Sequence, residues 1–421
     1  MGELRRIANS RGVPLADLIV RTIQDAGLKS TTLSVCPNSE AVVEAALRTA
    51  EAEGTPMMFA ATLNQVDLDG GYTGWTPGMF VEKVRTMERE FNVSVDVAIC
   101  SDHSGPWCKD IQAMEKWPLL PAMWGIKASV VACMEAGYDL LHIDPTIDKT
   151  LPPGEHLAIE TVIERTLELI DTVERFRRSQ NLPRMGYEVG TEEVHGGLAD
   201  KGVFKKFLTG LVEGLAELGY EDVWPVFVVG KVGTDLHTTE FDPSVARELV
   251  GDVVEFGSFI KGHYTDYCSN LQDYPASGMG GANVGPEFTE AEYDALEALV
   301  AAEIKLARAG IVQASGFMDE LTAAVVASGR WEKWRQPEEA GLPFEQFDPE
   351  RKKWLTKTGC RYVWTAPKVV ETRKKLYANL ENNGIPAGDE VVAAISEVIR
   401  KYISAFNLGG LQQQLEEHLN K

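Results

Sequence analysis

Short apolar runs alternate with longer amphipathic stretches over roughly the first 300 residues of the chain. Apolar runs bounded by polar residues predict buried strands, and they lie at Leu33–Val35, Met57–Thr62, Val95–Cys100, Leu140–Ile143, Met185–Val189, Val226–Val229, Gly257–Ile260 and Ala282–Val284. The stretches between them, such as Glu40–Glu53 and Glu160–Gln180, read as helices. Eight strand–helix alternations favour parallel strands joined by helical crossovers, and the α/β fold that fits them is a (β/α)8 TIM barrel.

The alternative for such a pattern is an open, doubly wound sheet. The first strand–helix turn lacks the Gly-x-Gly-x-x-Gly sequence typical of dinucleotide-binding sheets of that kind. After about residue 310 the pattern changes to helices rich in Trp, Lys and Glu. We therefore expect a barrel over residues 1–310 and a helical C-terminal extension over residues 311–421 that packs on it.

Charge and cysteine content narrow the classes of partner and compartment. The 421 residues carry 41 basic and 63 acidic side chains, a formal net charge of −22, which repels polyanions and predicts no nucleic-acid partner. No run approaches the ~18 uncharged apolar residues of a membrane span, so no membrane partner is expected. The six cysteines are scattered without a Cys-x-x-Cys pair, which favours reduced thiols and a cytoplasmic location. The sequence leaves a homo-oligomer open.

Histidines and acidic residues cluster where the predicted strands end. Five of the seven histidines lie at or near strand ends, and active sites of this barrel lie at the carboxyl ends of the strands. Imidazole nitrogens plus a carboxylate suit a divalent cation, with zinc favoured and Mn, Co, Ni or Mg open. The candidate ligands are three histidines and one glutamate, namely His103, His237, His263 and Glu192.

Other polar residues of the same strand ends are candidates for catalytic or supporting roles. Asp102 directly precedes His103 and is predicted to be a general acid/base, with support of a ligand histidine as the alternative. His142 lies within an apolar run, and we interpret it as a buried residue that orients Asp144. Asp144 and Glu192 are further candidate catalytic carboxylates, whereas the role of His195 stays open.

Substrate contacts are predicted from polar and glycine-rich segments around the strands. Glycines allow backbone N–H groups to approach an anion, and the segment before the eighth strand is a candidate for phosphate binding. The predicted substrate-binding residues are Asn38, Gln65, Ser277, Gly278, Gly280, Gly281 and Asn283. The tract Arg361–Trp364 is either a basic and aromatic wall or a packing element.

The combination of strand-end motifs resembles one family over nearly the whole chain. The motifs are Ser34–Cys36, Asn64–Val66, Gly70–Gly74, Asp102–His103, Gly105–Pro106, His142–Asp144, Gly190–Glu192, His237, His263, Thr265–Tyr267, Val284–Pro286, Arg361–Tyr362 and Trp364. Together they resemble the non-catalytic subunit family of tagatose-bisphosphate aldolase, which is similar to the class II, metal-dependent ketose-bisphosphate aldolases. Gly233–Asp235, Glu188 and Gly278–Gly281 resemble instead a branch of fructose/tagatose 4-epimerases.

The resemblance implies a zinc-type site with His103, His237 and His263 as ligands and Asp102 as acid/base. The implied function is C4 epimerisation of a ketohexose phosphate, fructose 6-phosphate to tagatose 6-phosphate, by retro-aldol cleavage and re-addition. One alternative is tagatose-1,6-bisphosphate aldolase activity. A second is a stabilising subunit that partners a separate aldolase catalytic subunit. A third is epimerisation of free ketohexoses or hexuronates.

Overall fold

Eight parallel strands among the described residues close into a barrel in which β1 pairs with β8. The structure is a computed structural model that describes residues 2–152, 155, 157–190, 201–234 and 240–421. In chain order β1 to β8 are Thr32–Val35, Met57–Thr62, Val97–Asp102, Leu140–Ile143, Gly186–Gly190, Phe227–Val229, Phe259–Gly262 and Gly281–Val284. The predicted (β/α)8 fold is confirmed, and each predicted strand overlaps an observed one.

Helices surround the barrel and continue past its last strand. In chain order α1 to α16 are Glu3–Arg11, Leu15–Asp25, Glu40–Glu53, Pro77–Glu90, Asp110–Met114, Leu119–Ala136, Ile159–Ser179, Lys201–Glu217, Pro243–Val254, Asp273–Ala276, Pro286–Arg308, Phe317–Ser328, Pro349–Gly359, Pro367–Glu381, Ala387–Ala405 and Leu411–Leu419. Short 3-10 turns occupy Arg330–Trp334, Pro337–Glu339, Phe344–Gln346 and Cys360–Tyr362. The region after α11 is helical, as the sequence predicts.

The register of the strands brings polar side chains to one end of the barrel. Strands that are buried on both faces read as continuous apolar runs, and β2 (MMFAAT) is an example. Thr62 at the end of β2 pairs with Asp102 at the end of β3, and His142 of β4 pairs with Glu188 of β5. The carboxyl mouth of the barrel therefore collects the side chains that the sequence distributes over separate strands.

The α6 helix is long and apolar enough to cross a membrane by length and composition alone. It contains Lys127 and Glu135, and it connects β3 to β4 on the outside of the barrel. Ala122, Ile126 and Val130 on one face of this helix are buried. These features are those of a crossover helix of the barrel.

The C-terminal helices return to both ends of the barrel. Helix α15 packs against α3 and α11, and α16 contacts α1 and α2. The Thr365 hydroxyl donates to the carbonyl of Tyr72, which follows β2. Arg330 pairs with Asp110 of the segment after β3. The 3-10 turns of this region therefore reach the carboxyl mouth.

Candidate metal centre and substrate cavity

Two histidines face each other at the carboxyl mouth. His103 follows β3 and has a left-handed backbone conformation with a φ of 47°, and His263 follows β7. Nε2 of His103 and Nδ1 of His263 are 3.1 Å apart. Two nitrogens bound to one tetrahedral zinc ion at 2.0–2.1 Å would be about 3.3 Å apart. The spacing therefore fits joint ligation of one ion.

The second nitrogen of each ring contacts a buried carboxylate. His103 Nδ1 lies 2.5 Å from Asp144 Oδ2, and His263 Nε2 lies 2.8 Å from Glu188 Oε1. Carboxylates in this position fix the tautomer and the orientation of metal-binding imidazoles. The hydroxyl of Thr146 donates to the other oxygen of Asp144. The structure thus places Asp144 behind His103, in an orienting position.

His142 belongs to the same cluster, and its interpretation as the residue that orients Asp144 is wrong. Its Nδ1 lies 3.0 Å from the backbone nitrogen of His103 and 3.1 Å from Oδ1 of Asp102. Asp144 is instead contacted by the side chains of His103, Thr146 and Cys108. Asp102, His103, His142 and His263 each offer a ligand atom within 4.8 Å of the others. These four side chains can therefore hold a metal ion. The place of His142 in the cluster depends on its pairing with Glu188 of the neighbouring strand, which only the folded sheet shows.

Asp102 is placed to exchange a proton with a bound substrate. Its Oδ1 is 3.9 Å from His263 Nε2 and 4.0 Å from His103 Nε2, and the side chain lines the cavity at the mouth. Burial alone would raise the pKa of Asp102. The imidazoles of His103, His263 and His142 outweigh burial and hold this pKa well below its usual range. The carboxylate is consequently ionised at neutral pH.

A fully buried ion pair contacts the ring of His263 through its carboxylate, Glu188. Lys261 Nζ lies 2.6 Å from Glu188 Oε2, and the two side chains are 1% and 0% exposed. Burial would raise the pKa of Glu188, but Lys261 and the neighbouring imidazoles lower it to about 2. Desolvation would lower the pKa of Lys261, but Glu188 and Asp102 raise it. Both members of the pair are therefore charged.

Breaking this pair on one side is expected to destabilise the barrel. The Lys261→Met variant leaves the Glu188 carboxylate buried without its cation, and we expect the free energy of unfolding to fall by about 3–5 kcal/mol. Urea-induced unfolding measures the change. The control is Lys261→Met combined with Glu188→Gln, which restores neutrality and keeps an acceptor for His263. An equal loss of stability in the single and double variants would contradict this account.

Three predicted substrate-binding residues meet at the cavity. The amide of Gln65 donates to Asn38 Oδ1 at 2.7 Å, and the Tyr72 hydroxyl donates to the same oxygen at 3.0 Å. Asn283 is 4% exposed, and neither amide atom of its side chain has a partner among the described residues. All four side chains line the cavity next to His103. The unpaired amide of Asn283 offers both a donor and an acceptor to sugar hydroxyls.

The glycine-rich segment Ser277–Gly281 does not line this cavity, and its role in substrate binding stays a prediction. Ser277, Gly278 and Gly280 line a separate cavity with Val20 and Ile23 of α2. A segment that precedes a strand approaches the amino end of the barrel, and only the segment that follows a strand lines the carboxyl mouth. Gly281 lies inside the barrel, where an added Cβ would be 2.9 Å from the Thr32 hydroxyl.

Three candidate residues lie outside the described part of the chain. They are Glu192, His195 and His237. Thr234, the last described residue before His237, donates its hydroxyl to the carbonyl of His263 at 2.9 Å. The assignment of Glu192 and His237 as ligands therefore stays a prediction.

The C-terminal helical region completes the cavity wall. Arg330, Lys333, Arg361 and Tyr362 line the same cavity as His103, His263 and Asn283. The sequence allows the tract around Arg361 to be either a cavity wall or a packing element. The structure gives it both positions, because Trp364 is buried in the core while Arg361 borders the cavity.

The fold and the site define a (β/α)8-barrel protein with an imidazole and carboxylate centre at its carboxyl mouth that can hold a metal ion. A family model described as "D-tagatose-1,6-bisphosphate aldolase subunit GatZ/KbaZ-like" matches residues 15–408. The chain belongs to this family.

Individual relatives carry two kinds of name. The chain is 27% identical to a "D-tagatose 6-phosphate 4-epimerase" of Agrobacterium fabrum, over 91% of this chain and 96% of the relative. It is also 27% identical to the "D-tagatose-1,6-bisphosphate aldolase subunit GatZ" of Salmonella heidelberg, over 86% of this chain and 87% of the relative. The predicted resemblance to this family and to its epimerase branch is confirmed.

Solved structures share the fold. A "probable tagatose 6 phosphate kinase" from Sinorhizobium meliloti aligns with a TM-score of 0.71 at 23% identity, covering 89% of this chain and all of that one. A fructose-bisphosphate aldolase from Campylobacter jejuni aligns with a TM-score of 0.54 at 10% identity, covering 92% and 93%. At these identities the likeness concerns the fold alone.

Proposed function

We propose that this protein is a metal-dependent C4-epimerase that interconverts fructose 6-phosphate and tagatose 6-phosphate. The observation that carries the proposal is the pair of facing imidazole nitrogens of His103 and His263, 3.1 Å apart, with the Asp102 carboxylate beside them. The similarity to a relative named as a tagatose 6-phosphate 4-epimerase supports the choice of reaction.

His103 and His263 would hold the divalent ion, and we propose His237 and Glu192 as further ligands. Zinc is the favoured ion for nitrogen ligands of this kind, with Mn, Co, Ni or Mg as alternatives. When bound, such an ion supplies Lewis-acid polarisation of the ketose oxygens at C2 and C3. Asp144 and Glu188 keep the two imidazoles turned towards the centre.

The chemistry explains why a carboxylate at this position is needed. The hydrogen on C4 is not acidic, because the carbonyl carbon is C2, so a base cannot invert C4 by removing that hydrogen. Asp102 instead takes the proton of the C4 hydroxyl, and the C3–C4 bond breaks to give an enediolate and an aldehyde. The aldehyde rotates and re-adds through its opposite face, and Asp102 returns the proton. Asn283 is placed to hold the sugar hydroxyls meanwhile.

Two further functions follow from the same site. Release of the aldehyde would make the protein an aldolase. Because the family description names an aldolase subunit, the alternative we propose is a stabilising subunit of a separate aldolase. Free ketohexoses or hexuronates are a further class of substrate.

We also propose a cytoplasmic location, which the six free cysteines of the described residues support.

Product analysis separates these functions. We expect the purified chain with a divalent metal salt to convert fructose 6-phosphate into tagatose 6-phosphate, and a chelator to abolish the conversion because the ketose oxygens are no longer polarised. Free fructose, assayed in parallel, tests whether the substrate is a free ketohexose. Release of glyceraldehyde 3-phosphate and dihydroxyacetone at the rate of ketose conversion would contradict epimerisation and indicate an aldolase. Absence of conversion, with stabilisation of an added aldolase, would indicate the subunit role.

A further inference from the structure

Arg361 is a buried cation on the cavity. It lowers the pKa of the buried Asp266 carboxyl, which burial nevertheless raises to about 6, but it forms no ion pair with that carboxyl. Its side chain belongs to the 3-10 turn Cys360–Tyr362, and the residue is only 8% exposed. No carboxylate among the described residues forms an ion pair with it, and its Nε has no hydrogen-bond partner. The aromatic rings of Trp334 and Tyr362 lie 5.1 and 5.2 Å from its guanidinium carbon.

Such a position is unfavourable unless a ligand compensates it. A buried charge costs free energy unless it is paired and hydrogen-bonded, and stacking on aromatic rings recovers only part of that cost. The chain as a whole is strongly acidic, with a net charge of −22. A shortage of carboxylates therefore cannot explain why this guanidinium lacks one.

Two more cations border the same cavity. Arg330 and Lys333 lie over the ring of Tyr362 at 4.3 and 4.9 Å, and both are paired with the single carboxylate of Asp110. With Arg361 this side of the cavity has three cations and the carboxylate of Asp110, while the nearby Asp266 carboxyl has a pKa raised by burial to about 6. Burial would raise the pKa of Tyr362, but the three cations outweigh it and lower that pKa. The wall is electropositive.

The electropositive wall and the imidazole centre line one cavity. The cavity residues include His103, His263 and Asn283 on the barrel side and Arg330, Lys333 and Arg361 on the side of the C-terminal region. A ligand with hydroxyl groups at one end and a dianion at the other matches this distribution. Guanidinium groups bind phosphate oxygens through paired N–H donors.

We propose that Arg361, with Lys333 and Arg330, binds the phosphate group of the ketose, so that the C-terminal helical region selects phosphorylated substrates. This inference rests on the proposed epimerase function for its substrate class, but anion binding can be measured without turnover. It assigns to the C-terminal region the role that the sequence assigned to Ser277–Gly281.

Calorimetric titration of the full chain with fructose 6-phosphate and with inorganic phosphate tests the proposal. We expect Arg361→Met to weaken the binding of both about 100-fold, because charge-assisted hydrogen bonds are lost. Arg361→Lys should recover part of the affinity. Phosphate binding should persist in the presence of a chelator, which separates the wall from anion binding by a metal. Arg335→Met is the matched control, because Arg335 also stacks on a tryptophan, Trp331, but does not border the cavity.

Thermal unfolding distinguishes recognition from a structural role. Because Arg361 has no carboxylate partner, we expect Arg361→Met to keep or raise the Tm of the phosphate-free chain, whereas a structural role would lower it. Unchanged phosphate affinity in Arg361→Met, or an equal loss in Arg335→Met, would overturn the proposal. If the parent chain binds fructose 6-phosphate through Arg361 but does not convert it, the anion site stands and the epimerase function fails. If conversion occurs and Arg361→Met binds phosphate normally, the epimerase function stands and the anion site at Arg361 fails.

Discussion

The Asp102→Asn variant is expected to lose about 1,000-fold in kcat for C4 epimerisation while it still binds the metal ion. Positioned general acids and bases contribute roughly 10²–10⁴-fold, and Asp102 is the described carboxylate that both lines the cavity and adjoins His103 and His263. Asparagine keeps the shape of the side chain and cannot take the C4 hydroxyl proton. Steady-state kinetics together with metal analysis of the purified variant measure the effect.

Asp144→Asn is the matched control for this substitution. Asp144 contacts Nδ1 of His103 and does not line the cavity. We expect the control to weaken metal affinity by about 10–100-fold and to regain most of its kcat at saturating metal. If Asp102→Asn retained more than about a tenth of the parent kcat, Asp102 would not be the acid/base.

Substitution of either facing histidine is expected to remove the metal ion and the activity together. His103→Ala and His263→Ala each delete one of the two nitrogens that lie 3.1 Å apart, and we expect kcat/KM to fall by at least about 1,000-fold because the Lewis acid is lost. Elemental analysis after dialysis should show about one metal ion per parent chain and almost none in the variants.

His142→Gln provides the comparison for the two ligand variants. Nδ1 of His142 is already placed to accept the backbone N–H of His103, so this account gives it a supporting position. We expect the variant to retain the metal with weakened affinity. Complete loss of metal from His142→Gln, with retention in His103→Ala, would reverse the assignment of ligand and support.

The barrel and much of its mouth are predictable from the sequence because both depend on local patterns. Strand-length apolar runs predict the eight strands. A residue that directly follows a strand is then expected at the carboxyl end of the barrel. This reasoning predicts Asp102, His103 and His263. The division of the chain at residue 310 depends on a change of pattern, and it stays a prediction.

Other parts of the site depend on contacts between distant segments. A histidine inside an apolar run, His142, gains its position from the pairing of β4 with β5. Ser277–Gly281 has the composition of an anion loop, but its place before β8 puts it at the other end of the barrel. Arg361 reaches the cavity only because the chain returns to the mouth after α13. No periodicity in the sequence encodes that return.

Anomalous X-ray scattering from crystals of the full chain grown with a zinc salt would locate an ion held by the two facing histidines. We expect one strong peak at the carboxyl mouth, about 2.0–2.1 Å from both His103 Nε2 and His263 Nδ1. A chain that shows no peak between these two nitrogens at saturating zinc, or binds zinc only elsewhere, would contradict this expectation.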